Sequence, residues 1–269
     1  MTKRIGFACK WSELDKKGQA VAVPELNFKT TTISWLKRQT QDVAEQRLWD
    51  IMVHNINALE QLLIKVGTLD DSLRMVRIGS DVLPGYTHRD YSYYWSRTDV
   101  VLYAQQNLAR LGAFARNNNI RLSMHPGQFT VLASANDGIV ENSIKEFEYH
   151  ADIARWLGYG KQFQDFKINV HISGKQGPAG IRRAYQRLSH EARNCITIEN
   201  EENSWGLNDC LSISDLVPIV LDIHHHWIRE GEYIDANDDR VKRVVDSWRG
   251  VRPTCHYSCL LYTSASPRD

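Results

Sequence analysis

The chain has 269 residues, of which 42% are hydrophobic and 24% charged, and its net charge at pH 7 is +1. This length allows one large α/β domain or two small ones, and the composition is ordinary for a folded globular protein. No apolar run approaches the roughly 20 residues of a membrane span. The near-neutral charge excludes the strong overall basic excess that many nucleic-acid-binding proteins carry.

The first residues and the cysteines indicate a reducing, cytoplasmic setting. Met1 to Ile5 lead straight into a strand-like run, so no signal peptide is predicted. The cysteines are odd in number and form no C-x-x-C pair: Cys9, Cys195, Cys210, Cys255 and Cys259. Cysteines scattered in this way argue against a disulfide framework and against a thiolate zinc site.

Strand-like and helix-like segments alternate along the chain. Apolar runs predict strands at Lys3–Cys9, Leu73–Ile78, Ile120–Met124, Phe166–His171, Cys195–Ile198, Ile219–Asp222 and Arg252–Cys255. An irregular connection is predicted at Lys10–Phe28, and helices at Thr31–Val66, Val100–Asn117, Ile139–Leu157, Ala179–His190, Ser212–Leu216 and Asn237–Trp248. Strict alternation implies a parallel sheet. The predicted fold class is α/β, a (β/α)8 TIM barrel that is incomplete at the C-terminus, with about seven strands present.

One strand end carries an unusual group of polar residues. The apolar run Val217 to Leu221 ends in Asp222, and three consecutive imidazoles follow at positions 224 to 226. An acid and imidazoles at the end of a buried strand are expensive to desolvate unless something pairs with them. A divalent metal ion suits this mixture of ligands. The alternative is a solvated His-rich loop.

Other predicted strands end in residues of the same kind. His88, His125, His171, Glu199 and His256 each follow a different strand. Polar residues at the C-terminal ends of barrel strands are typical of an active site, because that face carries the catalytic residues. All the candidates offer nitrogen or oxygen, which favours Zn²⁺, Mn²⁺ or Fe²⁺. Their number exceeds what one ion uses, so two or three ions are expected, with Glu199 able to bridge two of them.

A set of short motifs occurs in a fixed order. They are R-I-G-F at Arg4 to Phe7, R-I-G-S-D-V-L-P-G-Y-T-H at Arg77 to His88, M-H-P-G-Q-F at Met124 to Phe129, N-V-H-I-S-G at Asn169 to Gly174, I-E-N-E at Ile198 to Glu201, L-D-I-H-H-H at Leu221 to His226 and H-Y-S at His256 to Ser258. With these motifs, residues 3 to 258 resemble the UV damage endonuclease family. That family is related to endonuclease IV within the xylose-isomerase-like barrels.

The resemblance implies a metal-dependent DNA repair endonuclease. Such an enzyme nicks double-stranded DNA immediately 5′ of ultraviolet photoproducts, and often of abasic sites, by attack of a metal-activated hydroxide. The family uses up to three divalent ions, usually Mn²⁺, although Zn²⁺ stays open. A monomeric cytoplasmic protein of bacterial or phage type, with no membrane partner, is expected.

The family's residue roles transfer position by position. The implied metal ligands are His88, His125, His171, Glu199, Asp222, His225 and His256. The implied catalytic residues are Glu199, Asp222 and His256. His225 is chosen within the triplet because the family spacing is acid-x-x-His. His224 and His226 are then expected to be loop residues or residues that support a ligand.

A second group of residues is implied in lesion binding. Gln128 and Phe129 match the pair that wedges into the duplex, and Phe7 matches a further DNA-contacting ring. A poorly stacked photoproduct costs less to flip outward than a normal pair, and a planar ring can fill the space left behind. The alternatives are a ring that covers the barrel rim for Phe129 and a core residue for Phe7.

Basic residues near the fourth strand leave two interpretations open. Lys175, Arg182 and Arg183 could contact DNA phosphates, each adding affinity and salt dependence. Equally, they could form the solvated start of a helix.

The C-terminal part departs from the family. Thr254 stands where many members carry Lys two residues before the His of H-Y-S. The family also continues to a further His ligand and to a Glu ligand on an eighth strand, both beyond the end of this sequence. Residues 259–269 resemble the translation of a sequencing-library adapter, and we interpret them as a non-native tail. The alternative is a genuine polar tail. The TIM-barrel endonuclease domain is therefore assigned to residues 1–258.

Three functional hypotheses follow. The first is the metal-dependent DNA repair endonuclease. The second is a metal-dependent sugar isomerase or epimerase of the same barrel group, which would need a small polar pocket and no duplex wedge. The third is a catalytically impaired protein that binds DNA damage without cutting.

Overall fold

The longest helix shows how the apolar pattern becomes a core. In the computed structural model, which describes residues 3–257, α2 (Gln41–Gly67) carries apolar residues three and four positions apart. Leu48, Ile51, Leu59 and Leu63 are at most 1% exposed. This spacing places them along one side of the helix, because residues three and four apart share a face. α2 packs this side against the neighbouring helix and a strand.

The described residues form nine strands and ten α-helices. The strands are β1 (Phe7–Ala8), β2 (Ser12–Leu14), β3 (Ala20–Ala22), β4 (Met75–Ile78), β5 (Arg121–Met124), β6 (Lys167–His171), β7 (Ile196–Glu199), β8 (Ile219–Asp222) and β9 (Cys255–His256). The other helices are α1 (Ile33–Leu36), α3 (Ser92–Trp95), α4 (Thr98–Asn117), α5 (Asp137–Trp156), α6 (Gly177–Tyr185), α7 (His190–Cys195), α8 (Leu207–Leu211), α9 (Ile223–Glu230) and α10 (Asp239–Ser247).

Seven of these strands form one sheet in the order β1-β4-β5-β6-β7-β8-β9. The strand pairs are parallel, as in β4 with β5 and β7 with β8. Every residue of β7 and β8 is buried, which is expected where a parallel sheet is covered on both faces. The strands follow chain order from β4 onward, because each helical connection returns the chain beside the preceding strand. The predicted α/β fold with about seven parallel strands is confirmed.

The described chain divides into two compact units. Unit 1 comprises residues 3–130, Glu141–Ile168 and Leu188–Cys195, and unit 2 comprises Val131–Val140, Asn169–Arg187 and residues 196–257. In unit 1, α2 packs against α4 and β4. In unit 2, α10 packs against β8, and the buried indole of Trp248 donates to the Ile219 carbonyl oxygen over 2.8 Å.

Several predicted boundaries are wrong. The connection at 10–28 contains an antiparallel pair, β2 with β3, whose residues are all exposed. The helix predicted from Thr31 begins instead as the short α1, and α2 starts only at Gln41. The short helix expected at 212–216 lies five residues earlier, at Leu207–Leu211. Each error falls where a short element leaves too few residues for a hydrophobic period to show.

The His triplet lies on a helix. Residues 224–226 belong to α9, so the expectation of a loop for His224 and His226 is wrong. The proposed tail at 259–269 lies outside the described residues. Within residues 3–257, none of the helices is both long and apolar enough to span a membrane.

Gly112 should be intolerant of any side chain. It lies in α4, and a Cβ built there would come 1.7 Å from the Leu157 carbonyl oxygen. We expect Gly112→Ala to lower the free energy of unfolding in urea by about 2–3 kcal/mol, since the backbone must shift to relieve the overlap.

Gly67→Ala is the matched control for this substitution. Gly67 ends α2, and a Cβ there would meet its nearest heavy atoms, on Phe114, at an ordinary 3.7 Å. The control should be neutral or slightly stabilising, because alanine favours the helix. Wild-type stability of Gly112→Ala would contradict the packing described.

Candidate metal centre

Two neighbouring strands of unit 2 each end in a buried carboxylate. Glu199 is the last residue of β7 and is 1% exposed, and Asp222 is the last residue of β8 and is 5% exposed. The two strands are parallel, with Glu199 opposite Val220. Both carboxylates therefore emerge at the same edge of this strand pair.

Asp222 also starts the next helix. Its Oδ1 accepts the backbone N–H groups of His224 and His225 at 2.8 and 2.9 Å, which makes it the N-cap of α9. A capping carboxylate satisfies amides that a helix leaves unpaired at its first turn. The described residues supply no hydrogen bond to its Oδ2. This cap fixes where the first turn of α9 begins, and so where the imidazole of His225 lies.

His225 is held by a backbone carbonyl on one side of its ring. Its Nδ1 lies 2.9 Å from the Asn200 carbonyl oxygen, and its Nε2 lies 3.2 Å from Glu202 Oε2. A metal-binding histidine commonly donates one ring N–H to a carbonyl and binds the ion through the other nitrogen. One ligand atom from each of Glu199, Asp222 and His225 lies within 4.8 Å of the others. These three residues could hold a metal ion.

Two further imidazoles approach Glu199. Nδ1 of His256 lies 2.8 Å from Glu199 Oε1, and Nε2 of His171 lies 3.9 Å from Glu199 Oε2. The rings of His171 and His225 have centroids 5.2 Å apart. Unit 2 therefore brings together five of the seven ligands that the sequence predicted.

Buried amides hold the Glu199 carboxylate and the backbone of Asp222. Asn169 Nδ2 donates to Glu199 Oε2, and Asn169 Oδ1 accepts from the Thr197 hydroxyl at 2.8 Å. Asn200 donates to the Asp222 carbonyl oxygen at 3.0 Å and accepts the Asp222 N–H at 2.8 Å. Because these amides are at most 1% exposed, their hydrogen bonds form away from water and are correspondingly stronger.

A family model described as UV-endonuclease UvdE matches residues 3–269. The chain belongs to this family. The crystal structure of SacUVDE matches the chain with a TM-score of 0.76 at 25% identity, over 98% of this chain and 83% of that one. This likeness confirms the predicted fold class.

Several relatives are named as UV-damage endonucleases. The chain is 27% identical to the protein of Schizosaccharomyces pombe over 95% of this chain and 42% of that protein. It is 31% identical to the protein of Neurospora crassa over 73% of this chain and 32% of that protein. The UV DNA damage endonuclease of Clostridium perfringens is 29% identical over 87% of this chain and 55% of that protein. The chain thus spans 32% to 55% of the length of these relatives.

The other two predicted metal ligands, His88 and His125, lie in unit 1. His88 follows β4, where its Nδ1 accepts the Asp90 N–H at 3.2 Å. His125 follows β5, and its carbonyl oxygen accepts the Ser80 hydroxyl at 3.0 Å. Ser80 Oγ also lies 2.9 Å from Nε2 of His150, whose burial lowers its pKa to about 4. A neutral, buried imidazole therefore supports the segment that carries His125.

The residues predicted to bind the lesion differ in exposure. Phe129 is 85% exposed, and Gln128 beside it is exposed too. Phe7 is half-buried and packs edge-on against Trp11, with ring centroids 5.1 Å apart. Exposing an aromatic ring to water is unfavourable for a monomeric fold. Phe129 therefore buries little apolar surface within residues 3–257, whereas Phe7 contributes to packing.

Three further residues lie within two positions of a predicted ligand in the sequence. His224 stacks on Trp227, with centroids 5.8 Å apart and planes 21° apart. His226 is 1% exposed, and neither ring nitrogen has a hydrogen-bond partner among residues 3–257. Burial, followed by the charge of Arg240, lowers the pKa of His226. The hydroxyl of Thr254, at the position of the family's Lys, is likewise buried without a described partner.

Sequence reasoning missed the supporting polar residues. Asn169 lies two positions before His171, and Thr197 two before Glu199, so each shares a strand face with a predicted ligand. That two-residue period could have identified both of them. Asn200 and Glu202 lie in the loop after β7, where no local period operates, and only the fold brings them to His225.

The protonation of His225 should depend on Glu202. Burial by itself lowers the pKa of His225, but the Asp222 carboxylate and then the Asn200 carbonyl, Glu199 and Glu202 raise it above its ordinary value. In the metal-free protein, Glu202→Gln removes one nearby negative charge, so the pKa of His225 should fall. An NMR titration of the His225 ring protons measures this change.

The sign of the pH dependence follows from the raised pKa. Protonated His225 contributes stability that is fully present below its unfolded pKa of about 6.5 and is lost as pH rises through the higher folded value. Metal ions bind the neutral imidazole, so divalent affinity should weaken as pH falls through the folded value. Glu230→Gln, on the same helix, is the control and should leave the titration unchanged. An unchanged His225 titration in Glu202→Gln would show that Glu202 does not raise the pKa of His225.

Proposed function

We propose that this chain is a metal-dependent DNA repair endonuclease. It nicks double-stranded DNA on the 5′ side of ultraviolet photoproducts, and also beside abasic sites, with Mn²⁺ as the first metal to test. The observation that carries the proposal is the group formed by Glu199, Asp222 and His225. Membership of the UvdE family supports the choice of substrate.

The residues of this group fit divalent metal ions. Two carboxylates that are at most 5% exposed lie within 4.8 Å of an imidazole nitrogen, and anions so deeply buried need a cationic partner. The donors are nitrogen and oxygen, as Mn²⁺ and Zn²⁺ accept. When bound, such ions make water a stronger nucleophile and stabilise the leaving oxygen of a phosphoryl displacement. His171 and His256 would complete the set, and the resemblance adds His88 and His125 as further proposed ligands.

The chain's own residues would orient these ligands. Asn169 and His256 hold the Glu199 carboxylate from two sides. Asn200 holds both the backbone of Asp222 and the ring of His225. Catalysis of displacement depends on ligands held to within a fraction of an ångström. We therefore assign catalytic importance to Glu199, Asp222 and His256 together.

Lesion recognition is assigned to Gln128 and Phe129. A photoproduct disrupts stacking, and an abasic site lacks a base, so each leaves a duplex easier to open than normal DNA. The ring of Phe129 could enter the opened step and stack there, while the Gln128 amide could replace lost hydrogen bonds. The 85% exposure of Phe129 supports this role.

The first test is nicking of irradiated DNA. Wild-type protein with Mn²⁺ should cut a UV-irradiated duplex beside the photoproduct, read as labelled fragments on a denaturing gel. Glu199→Gln should lose at least about 100-fold in rate and bind Mn²⁺ more weakly by calorimetry, because even residues that only support a ligand cost 10- to 100-fold when changed. Glu230→Gln, a surface acid on α9, is the control.

The outcomes of this test separate the hypotheses. Full Mn²⁺ loading without nicking by the wild type would reject the endonuclease. Tight binding to irradiated duplex without any cutting would instead support a protein that only recognises damage. Equal rates for Glu199→Gln and the wild type would show that the group around Glu199 takes no part in the reaction.

The second test concerns the wedge. Gln128→Ala combined with Phe129→Ala should weaken binding to irradiated duplex by about tenfold or more, because stacking on a base contributes about 1–3 kcal/mol. Binding to undamaged duplex should change little. Fluorescence anisotropy with both duplexes measures the ratio of the two affinities.

Leu102→Ala is the matched control for the wedge. Leu102 is an apolar residue of α4 that is 49% exposed, so the substitution tests loss of surface hydrophobicity alone. An unaltered preference for irradiated DNA in the double variant would exclude the wedge. A wild-type protein with no preference for irradiated DNA would instead reopen the sugar isomerase hypothesis, which requires neither residue.

A further inference from the structure

Unit 2 contains a cleft that lies outside the group around Glu199. It has a volume of about 350 Å³, and its lining includes the apolar Leu132 and the polar residues Ser134, Asp137, Gln176, Arg183 and Arg187. We call it the Arg183 cleft. The charged residues of its lining are Arg183, Arg187 and Asp137.

Adjacent arginines on α6 have different surroundings. Arg182 forms a bidentate ion pair with Asp215, at 2.6 and 2.9 Å, and donates to the Ser212 carbonyl oxygen at 2.9 Å. Arg183 lines the cleft and donates to the neutral side-chain oxygen of Gln176. Among residues 3–257, no carboxylate pairs with Arg183. Its guanidinium has five N–H donors, which leaves capacity for an anion.

Close backbone packing gives the cleft a fixed floor. The Gln176 N–H donates to the Ala133 carbonyl oxygen at 2.9 Å. A Cβ at Gly174 would lie 2.5 Å from the Ala133 backbone, and one at Gly180 would lie 2.7 Å from it. Ala133 therefore lies directly against Gly174, before α6, and against Gly180, within α6, where any side chain would overlap it. Backbone packing against Ala133 therefore fixes one side of the cleft.

We propose that the Arg183 cleft binds a backbone phosphate of duplex DNA. This inference rests on the proposed function, which supplies DNA as the partner. A guanidinium matches the geometry of two phosphate oxygens, and the cleft has room for a phosphodiester group. Asp137, in the first turn of α5, is the one carboxylate of the lining, and it forms no ion pair with Arg183 among residues 3–257. Along the sequence, Leu132 comes three residues after Phe129.

The test measures the salt dependence of binding. The full chain is titrated with an undamaged duplex at a series of KCl concentrations, and anisotropy gives the association constant. Arg183→Gln should make the slope of log K against log [KCl] shallower by about 0.9, the value for one lost phosphate contact. Arg183→Lys should recover part of the slope, because it restores the charge without the fork of donors.

Arg182→Gln is the matched control. It removes the same charge from the same helix one position away, yet its side chain is already paired with Asp215. Its slope should equal that of the wild type. Equal slopes for wild type and Arg183→Gln, or equal losses for both glutamine variants, would overturn the proposal. Thermal melting establishes that each variant is folded.

Two further results keep this proposal distinct from the proposed function. If the wild type fails to nick irradiated DNA but the slopes behave as expected, the endonuclease fails and the cleft stands. If nicking occurs and Arg183→Gln keeps the wild-type slope, only the cleft fails. Saturable binding of inorganic phosphate that Arg183→Gln abolishes, with no change in the DNA slope, would assign the cleft to a free anion and overturn the DNA assignment.

Discussion

The carboxylate of Glu199 imposes the strongest physical demand in unit 2. It ends a strand in which every residue is buried, and it is 1% exposed itself. A charge removed from water in this way costs several kcal/mol unless hydrogen bonds and opposite charge compensate. Asn169 and His256 provide hydrogen bonds, and the imidazoles of His171 and His225 lie near 4 Å. A protonated imidazole or a divalent ion would add positive charge beside this carboxylate.

The second acid links secondary structure to chemistry. Asp222 closes β8 and caps α9 with one carboxylate oxygen, so the strand passes into the helix without a loop. The cap sets the position of His225 three residues later, and Asn200 ties the backbone of Asp222 to the ring of that histidine. The positions of acid and imidazole therefore depend on each other, since both follow from a single turn of backbone.

Outside this group, the partners of a residue matter more than its type. Arg182 and Arg183 are neighbours of identical chemistry, yet one is neutralised by Asp215 and the other faces a cleft. Phe7 and Phe129 are both predicted to contact DNA. Phe7 packs on Trp11, whereas Phe129 is 85% exposed. The net charge and the hydrophobic fraction of the sequence do not distinguish the two arginines or the two phenylalanines.

The sequence by itself determined the alternation of strands and helices and the acids and imidazoles at strand ends. Those features follow from local periods of two and 3.6 residues, which need no distant contact to be recognised. Only the tertiary structure decided that the His triplet begins a helix and that Asn200 and Glu202 reach His225. It also decided that Arg182, and not Arg183, pairs with Asp215, which lies more than 30 positions away in the sequence. Contacts between residues far apart in the chain leave no local period, because the fold alone sets the distance between them.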